Sequence, residues 1–313
     1  MYHKSVFVSE VKFTKQVQSY KMNFMYKKIE ILFEDEYICV INKPEGLLSV
    51  PGQNKDKSAL SILEELMRKK GTWSQNHRPF AVHRLDRDTS GVMMFALSET
   101  VQKKLMDEWH TIVTERLYRA LAENPKNPKD FLPDSGLIDD DLAFNAYNIG
   151  FVPKNQKKGG ESQPDEKKIK TVPARTNFTV IARGKTHTLF ELSLDTGKKN
   201  QIRAHLSSKG YPLEGDRNFR AKSDSFGRLC LHARTLEFTH PVTNKKMKFE
   251  IPEDKEWEEF ARTNTQGRKN ADYTRNQHET QKEKKSSQPP RHISAKEKAH
   301  MNFIELGKLK SRR

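Results

Sequence analysis

Two cysteines in 313 residues are too few for a disulfide framework or for a cysteine-based metal site. Cys39 and Cys230 both stand in apolar runs, Tyr-Ile-Cys-Val-Ile and Leu-Cys-Leu, and read as buried thiols of a reducing compartment. No apolar run approaches the roughly 20 residues that a membrane-spanning helix needs. The first residues lack the apolar core of a signal peptide. The expectation is a soluble, cytoplasmic protein with no membrane partner. A phosphate-binding glycine loop, a dinucleotide fingerprint, a Cys/His cluster and internal repeats are all missing from the sequence, which argues against the chemistries those motifs serve. The hydrophobic fraction is 34%, low for a compact protein.

What the chain has in excess is positive charge. The net formal charge is +16. Residues 263–313 hold 13 Lys and Arg against 5 Asp and Glu, so half of the excess lies there. A basic balance suggests a polyanionic partner reached through phosphate contacts. Residues 263–313 are rich in Gln, Lys, Asn and Ser, cannot bury a core and are expected to be disordered; Asn302–Leu306 is a candidate short helix. Residues 1–28 read as a basic N-terminal extension, and 154–170 as an exposed, flexible loop.

Between these segments the pattern alternates strands and helices. Strands are expected at Ile29–Phe33, Tyr37–Asn42, Phe80–Val82, Val92–Ala96, 112–122, Ala174–Ala182 and Thr186–Leu194. Helices are expected at Ser58–Lys70, with Ser58 as N-cap and Gly71 as stop, at Thr100–Thr111, at Gln201–Leu206 and at Trp257–Ala261. This mixture is α+β.

The stretch from Pro79 to Ala96 draws attention to itself. Two short apolar runs flank His83-Arg84-Leu85-Asp86-Arg87-Asp88-Thr89-Ser90-Gly91, whose last four residues are turn formers. Asp86 would sit near the tip of a connection held by a rigid sheet, where reactive residues are often presented. Arg84 and Arg87 favour its ionised form, so it suits a nucleophile or base better than an acid. On charge pattern alone, a solvated ionic turn accounts for the same residues.

His-Arg-Leu-Asp, two variable residues and Thr-Ser-Gly resembles the signature of the RluA-type pseudouridine synthases, matched at every fixed position. Three other elements agree with it. They are Asn42-Lys43-Pro44-Glu45-Gly46, Arg116-Leu117-Tyr118-Arg119-Ala120 (Arg116 standing where the family has lysine), and Thr196-Gly197-Lys198-Lys199-Asn200-Gln201-Ile202-Arg203-Ala204-His205-Leu206 (Lys198 standing where the family has arginine). Tyr211-Pro212-Leu213-Glu214-Gly215-Asp216 continues the resemblance, as do Leu229–Arg234 and Phe238–Pro241, which it implies are two closing strands; it covers about residues 29–262. It implies one α+β catalytic domain with a mixed, largely antiparallel sheet flanked by helices and an RNA cleft across the middle. An S4-type RNA-binding domain is not expected, because 1–28 is too short and lacks its pattern.

The resemblance also implies an isomerase that converts uridine to pseudouridine in ribosomal or transfer RNA, without a cofactor or metal, and expected to be a monomer. It implies catalytic roles for Asp86, for Tyr118 stacking on the base, and for Arg203 pairing with Asp86. Arg84 would fill the gap left by the flipped nucleotide, and Leu231 would lie under the base. His83, Lys43, Arg116, Lys198, Lys199, Asn200, Gln201 and His205 are expected to contact RNA. Two other classes compete. A non-catalytic RNA-binding or ribosome-assembly protein need not keep Asp86, Tyr118 and Arg203 together. A metal-dependent RNA hydrolase would need several clustered carboxylates, which the sequence does not offer.

Removing residues 263–313 is expected to weaken RNA affinity and leave the single-turnover rate unchanged, because every active-site motif lies before them. Each lost phosphate contact lowers the log–log salt slope by about 0.7 to 0.9. Affinities of both forms across a salt series check this, and coincident slopes would contradict it.

Overall fold

The computed structural model describes residues 29–52, 56–153 and 169–264. The N-terminal extension, most of the 154–170 loop, the basic tail and the candidate helix at 302–306 lie outside the described residues.

A ten-stranded sheet organises the chain. Its strands are β1 (Glu30–Glu34), β2 (Ile38–Lys43), β3 (Phe80–Ala81), β4 (Ser90–Ala96), β5 (Val113–Glu123), β6 (Ser135–Ile138), β9 (Thr176–Arg183), β10 (His187–Leu194), β11 (Leu231–Thr239) and β12 (Lys246–Glu250). A separate hairpin pairs β7 (Ala143–Phe144) with β8 (Gly150–Phe151). The order is β1-β2-β4-β11-β5-β10-β9-β6, with β3 joined to β4 and β12 to β11. Each of these neighbours is antiparallel except β4–β11. The sheet is therefore mixed and largely antiparallel, in an α+β fold.

Period-2 alternation sends the central strands' side chains to two cores. Cys39, Ile41, Met93 and Phe95 face one core with Leu63 and Met67 of α1 (Ala59–Lys70). Ile38, Val40, Val92, Met94 and Ala96 face the other with Val101 and Leu105 of α2 (Glu99–Asp107). Buried on both sides, β2 and β4 read as continuous apolar runs rather than alternating ones. The two cysteines are free and buried in different clusters.

The local signals for α1 operate as its sequence suggests. Ser58 accepts from Ser61 N in a capping box, and Gly71 closes the helix at φ 72°, where glycine meets no Cβ penalty. The expected helix Thr100–Thr111 is instead two. The chain turns at Glu108 and restarts as α3 (Trp109–Ile112), which brings Trp109 against His83, ring centroids 5.2 Å apart.

The two strands expected at Leu229–Arg234 and Phe238–Pro241 are one strand, β11. Its pairing with β5 shifts register at Ala233/Thr235 and again at Glu237/Phe238. These irregularities break the apolar alternation that marks a continuous strand. Its partner β12, Lys-Met-Lys-Phe-Glu, was hidden by edge-strand polarity. Helix α4 (Gln201–Ser208) follows a left-handed Asn200, and α5 (Glu256–Thr263) buries Trp257 and Phe260 against β9 and β10.

Gly91, expected as a turn residue, lies inside β4 opposite Ala233. Its φ is 118°, and an added Cβ would meet the Ala233 carbonyl oxygen at 2.1 Å. The glycine is required because β11 approaches at that point. Positive-φ strain and overpacking each cost about 1–3 kcal/mol. Gly91→Ala is therefore expected to lose about 3 kcal/mol or more of stability, read from the denaturant midpoint; an unchanged midpoint would contradict the close approach.

Candidate active site

The segment between β3 and β4 has irregular backbone, so its shape must come from elsewhere. Ser49 brackets Leu85, accepting from its N–H at 3.0 Å and donating to its carbonyl at 2.7 Å. Leu85 is buried in the core. Met94 N–H donates to His83 Nε2 at 2.9 Å. Lys43 Nζ donates to the Arg87 carbonyl at 2.9 Å and to the Leu47 carbonyl at 2.7 Å. Thr89 N–H closes onto the Asp86 carbonyl at 3.2 Å. Asp86 is thus presented from a loop pinned on both sides.

The Asp86 carboxylate meets two donors. Asn200 Nδ2 donates to Oδ2 at 2.7 Å, and Arg203 Nη1 donates to the same oxygen at 3.1 Å; neither engages Oδ1. Arg203 also grips Asp216 through Nε at 2.6 Å and Nη2 at 2.8 Å. Its guanidinium lies 4.7 Å from the centroid of the Phe219 ring. Burial works against the charge on Arg203, but the Asp216 and Asp86 carboxylates offset it and hold its pKa above the ordinary arginine value. A buried arginine between two carboxylates fixes the Asp86 side chain with charge-assisted bonds.

Asp216 is held in turn by its own loop. Glu214, fully buried, accepts from His187 Nε2 at 2.9 Å, from the Ser223 hydroxyl and from Ser225 N–H. Burial pushes its pKa up, but these donors outweigh that and leave it below the usual carboxylate value. Asp216, Glu214 and Ser49 received no role from the sequence. The available signal was Tyr211-Pro212-Leu213-Glu214-Gly215-Asp216, where two carboxylates follow an apolar run in a stretch that continues the family resemblance.

Tyr118 on β5 lies on the face of that strand that it shares with Ala120, and is buried. Burial raises its pKa, opposed by Arg116 and reinforced by Asp86, so the phenol is protonated at neutral pH. Leu231 is buried on β11 opposite Ala120. Arg116 donates to the Leu194 carbonyl at 2.8 Å. Arg84 and Lys198 are exposed, and Lys199 is partly so.

Four of the residues expected to touch RNA have polar atoms engaged within the protein. Lys43 is 0% exposed, and its ammonium is occupied by main-chain carbonyls. His83 accepts from the backbone, and burial followed by the charge of Arg116 pushes its pKa down to about 3, so it stays neutral. Gln201 is buried and joins Thr196, Lys198 N, the Arg175 carbonyl and Thr176. His205, also buried, lies between Thr176 Oγ1 at 2.9 Å and the Asp140 carbonyl at 2.9 Å. Asn200 faces Asp86 rather than solvent. In each case the motif was read as a surface because its residue types are polar; the fold turns them inward. Among the described residues, no group of three or more His, Cys, Asp or Glu is placed to hold a metal ion, and no helix is long and apolar enough to cross a membrane.

Comparison with known proteins places the chain in a family. The sequence profile of RNA pseudouridylate synthases matches residues 37–208. The chain is 36% identical over 232 residues to an uncharacterized RNA pseudouridine synthase of Mycoplasma pneumoniae, covering 72% of this chain and 67% of that protein. It is 31% identical over 232 residues to the dual-specificity RNA pseudouridine synthase of Haemophilus influenzae, covering 72% and 94%. It is 32% identical over 236 residues to the ribosomal large subunit pseudouridine synthase D of Neisseria meningitidis, but spans only 58% of that protein's length. The structure of human RNA pseudouridylate synthase domain containing 4 superposes with a TM-score of 0.55 at 22% identity, over 72% of this chain and 89% of that one. That likeness is one of fold. The chain belongs to the RNA pseudouridylate synthase family.

Lys43→Met removes three carbonyl bonds in a buried place, each worth about 1 kcal/mol with further cost for orphaned acceptors. A loss of about 2–4 kcal/mol in stability and a slower single-turnover rate are expected, with an unchanged salt slope of RNA binding. A shallower slope with full stability would return Lys43 to the RNA-contacting set.

Proposed function

We propose that this chain isomerises particular uridines to pseudouridine in ribosomal or transfer RNA in the cytoplasm, with Asp86 as the carboxylate that acts on the target nucleotide. The observation that carries the reading is the Asp86 carboxylate held on a pinned loop by Asn200 and Arg203, with Tyr118 buried nearby on β5.

The reaction is balanced within one nucleotide. The bond from C1′ to N1 breaks, the uracil turns, C5 bonds to C1′, and the proton leaving C5 is matched by one gained at N1. Attack of a carboxylate at C1′, its addition at C6, and removal of the 2′ proton all start from the ionised group. Arg203 and Asn200 complement that charge, and the fixed guanidinium requires no reorganisation during reaction. Tyr118 offers the uracil a ring face and an O–H donor, since its phenol stays protonated. Leu231 supplies apolar surface beneath the base.

The target must leave its stack before Asp86 can reach it, at a cost of a few kcal/mol. Arg84, exposed two residues before Asp86, is suited to occupy the vacated position, and base stacking on Tyr118 at about 1–3 kcal/mol offsets part of the cost. Arg116, Lys198 and Lys199 supply positive charge for the phosphates around the site.

Mapping pseudouridine in total RNA from wild-type and deletion cells tests this reading and identifies the target. Asp86→Asn keeps the shape of the side chain and removes its charge. It is expected to restore none of the missing pseudouridine, with RNA affinity within about twofold of wild type. Turnover by this variant above about one percent of wild type would remove Asp86 from the chemistry.

A further inference from the structure

Among the described residues, the β7–β8 hairpin has no task in the reading above. It runs along α4 in the opposite direction. At its base the Asp140 carbonyl accepts from His205 Nε2, and the Asp140 carboxylate pairs with Lys209 at the C-terminal end of α4 at 2.6 Å. At its far end Gly150 N–H reaches Asn200 Oδ1 at 3.4 Å. A Cβ on Gly150 would lie 2.6 Å from the Lys199 carbonyl oxygen. The hairpin tip, residues 145–149, is therefore carried to the N-terminal end of α4, beside the Asn200 side chain that holds Asp86.

The tip is rigid. Asn145 Oδ1 accepts from Tyr147 N–H and Ile149 N–H, both at 3.0 Å. Asn145 N–H donates to the Ile149 carbonyl at 3.1 Å, and Asn148 N–H to the Asn145 carbonyl at 2.8 Å. Asn148 takes the left-handed conformation at φ 56°, which asparagine tolerates. On this built turn stands Tyr147, 84% exposed, the most exposed large apolar side chain among the described residues. A free tyrosine on a flexible loop would lose chain entropy on binding; this one has little left to lose.

We propose that Tyr147 is a stacking platform for an unpaired base of the substrate RNA next to the target uridine. The inference rests on the proposed function. Tyr147 is three residues from Gly150, a reach of no more than about 10 Å of extended chain, and Gly150 itself meets the Asn200 side chain that holds Asp86. A nucleotide flanking a flipped uridine has lost one stacking neighbour and presents a bare face there. Every base has such a face, so the contact adds affinity without base identity. Lys199, next to Asn200, supplies the charge for the accompanying phosphate.

The test uses full-length protein and total RNA from cells in which its gene is deleted, a probe that contains the natural target whatever its identity. Pseudouridine formation and filter binding are measured against RNA concentration for wild type, Tyr147→Ala, Tyr147→Leu and Tyr147→Phe. Because Tyr147 is exposed, all four should melt within a few degrees of one another. Tyr147→Ala and Tyr147→Leu should raise the half-saturating RNA concentration about tenfold, within the range that loss of one stacked base gives. Tyr147→Phe should stay within about twofold. Single-turnover rates at saturation and salt slopes should match for all, since no reacting group or phosphate contact is removed. Irradiation at 254 nm should attach a nucleotide to the Tyr147 peptide of the wild type.

Equal half-saturation for Tyr147→Ala overturns the proposal. So does a Tyr147→Phe as weak as Tyr147→Ala, which would make the contact a hydroxyl hydrogen bond. A wild type that binds the RNA but forms no pseudouridine overturns the proposed function instead, and the filter-binding comparison still decides the role of Tyr147.

Discussion

Arg203 is the point at which separate pieces of this fold are locked together. One guanidinium joins Asp86 on the β3–β4 loop to Asp216 on the segment after α4, while its own backbone belongs to α4. It is 8% exposed, and Asp216 2%. Charges this deep are costly to bury and become favourable only when well matched in geometry. Removing one partner of such a group costs about 3–5 kcal/mol because the other is left unpaired. The site can therefore tolerate only one arrangement of loop, helix and segment, and the position of Asp86 follows from it.

The surroundings repeat that logic at lower cost. Polar side chains under the site are spent on main-chain atoms of irregular segments. Lys43 and Ser49 hold the Asp86 loop, Gln201 and His205 hold the approach to α4, and Glu214 with His187 holds the segment carrying Asp216. Loops cannot satisfy their backbone within themselves, so a rigid active-site loop needs such partners. The parallel contact of β4 with β11, possible only because Gly91 lacks a side chain, sets the loop's exit from the sheet.

Exposed around this scaffold are positive and aromatic side chains, together with carboxylates such as Asp88. Arg84 and Lys198 stand in solvent, and Tyr147 stands on a turn locked by Asn145. The division is physical: groups that must keep a fixed position are buried and bonded, and groups that would meet a large polyanion stand in solvent.

The sequence by itself determined a good deal. The apolar runs of β2 and β4, the capped helix α1 and the mixture of short strands and helices were readable because each rests on neighbours in the chain. So was the likeness carried by residues 83–91. The continuous strand β11 was not readable, since register shifts against β5 interrupt its alternation, and neither was β12, an edge strand with a polar sequence. The internal hydrogen-bond partners of Lys43, His83, Gln201 and His205 became visible only in the tertiary structure. A polar residue in a motif looks the same whether it faces RNA or a carbonyl, and only burial tells them apart. The pairing of Arg203 with Asp86 stood in the sequence as an expectation drawn from likeness, whereas the second partner, Asp216, became visible only in the fold, where it lies within 3 Å of the guanidinium that Asp86 meets at 3.1 Å.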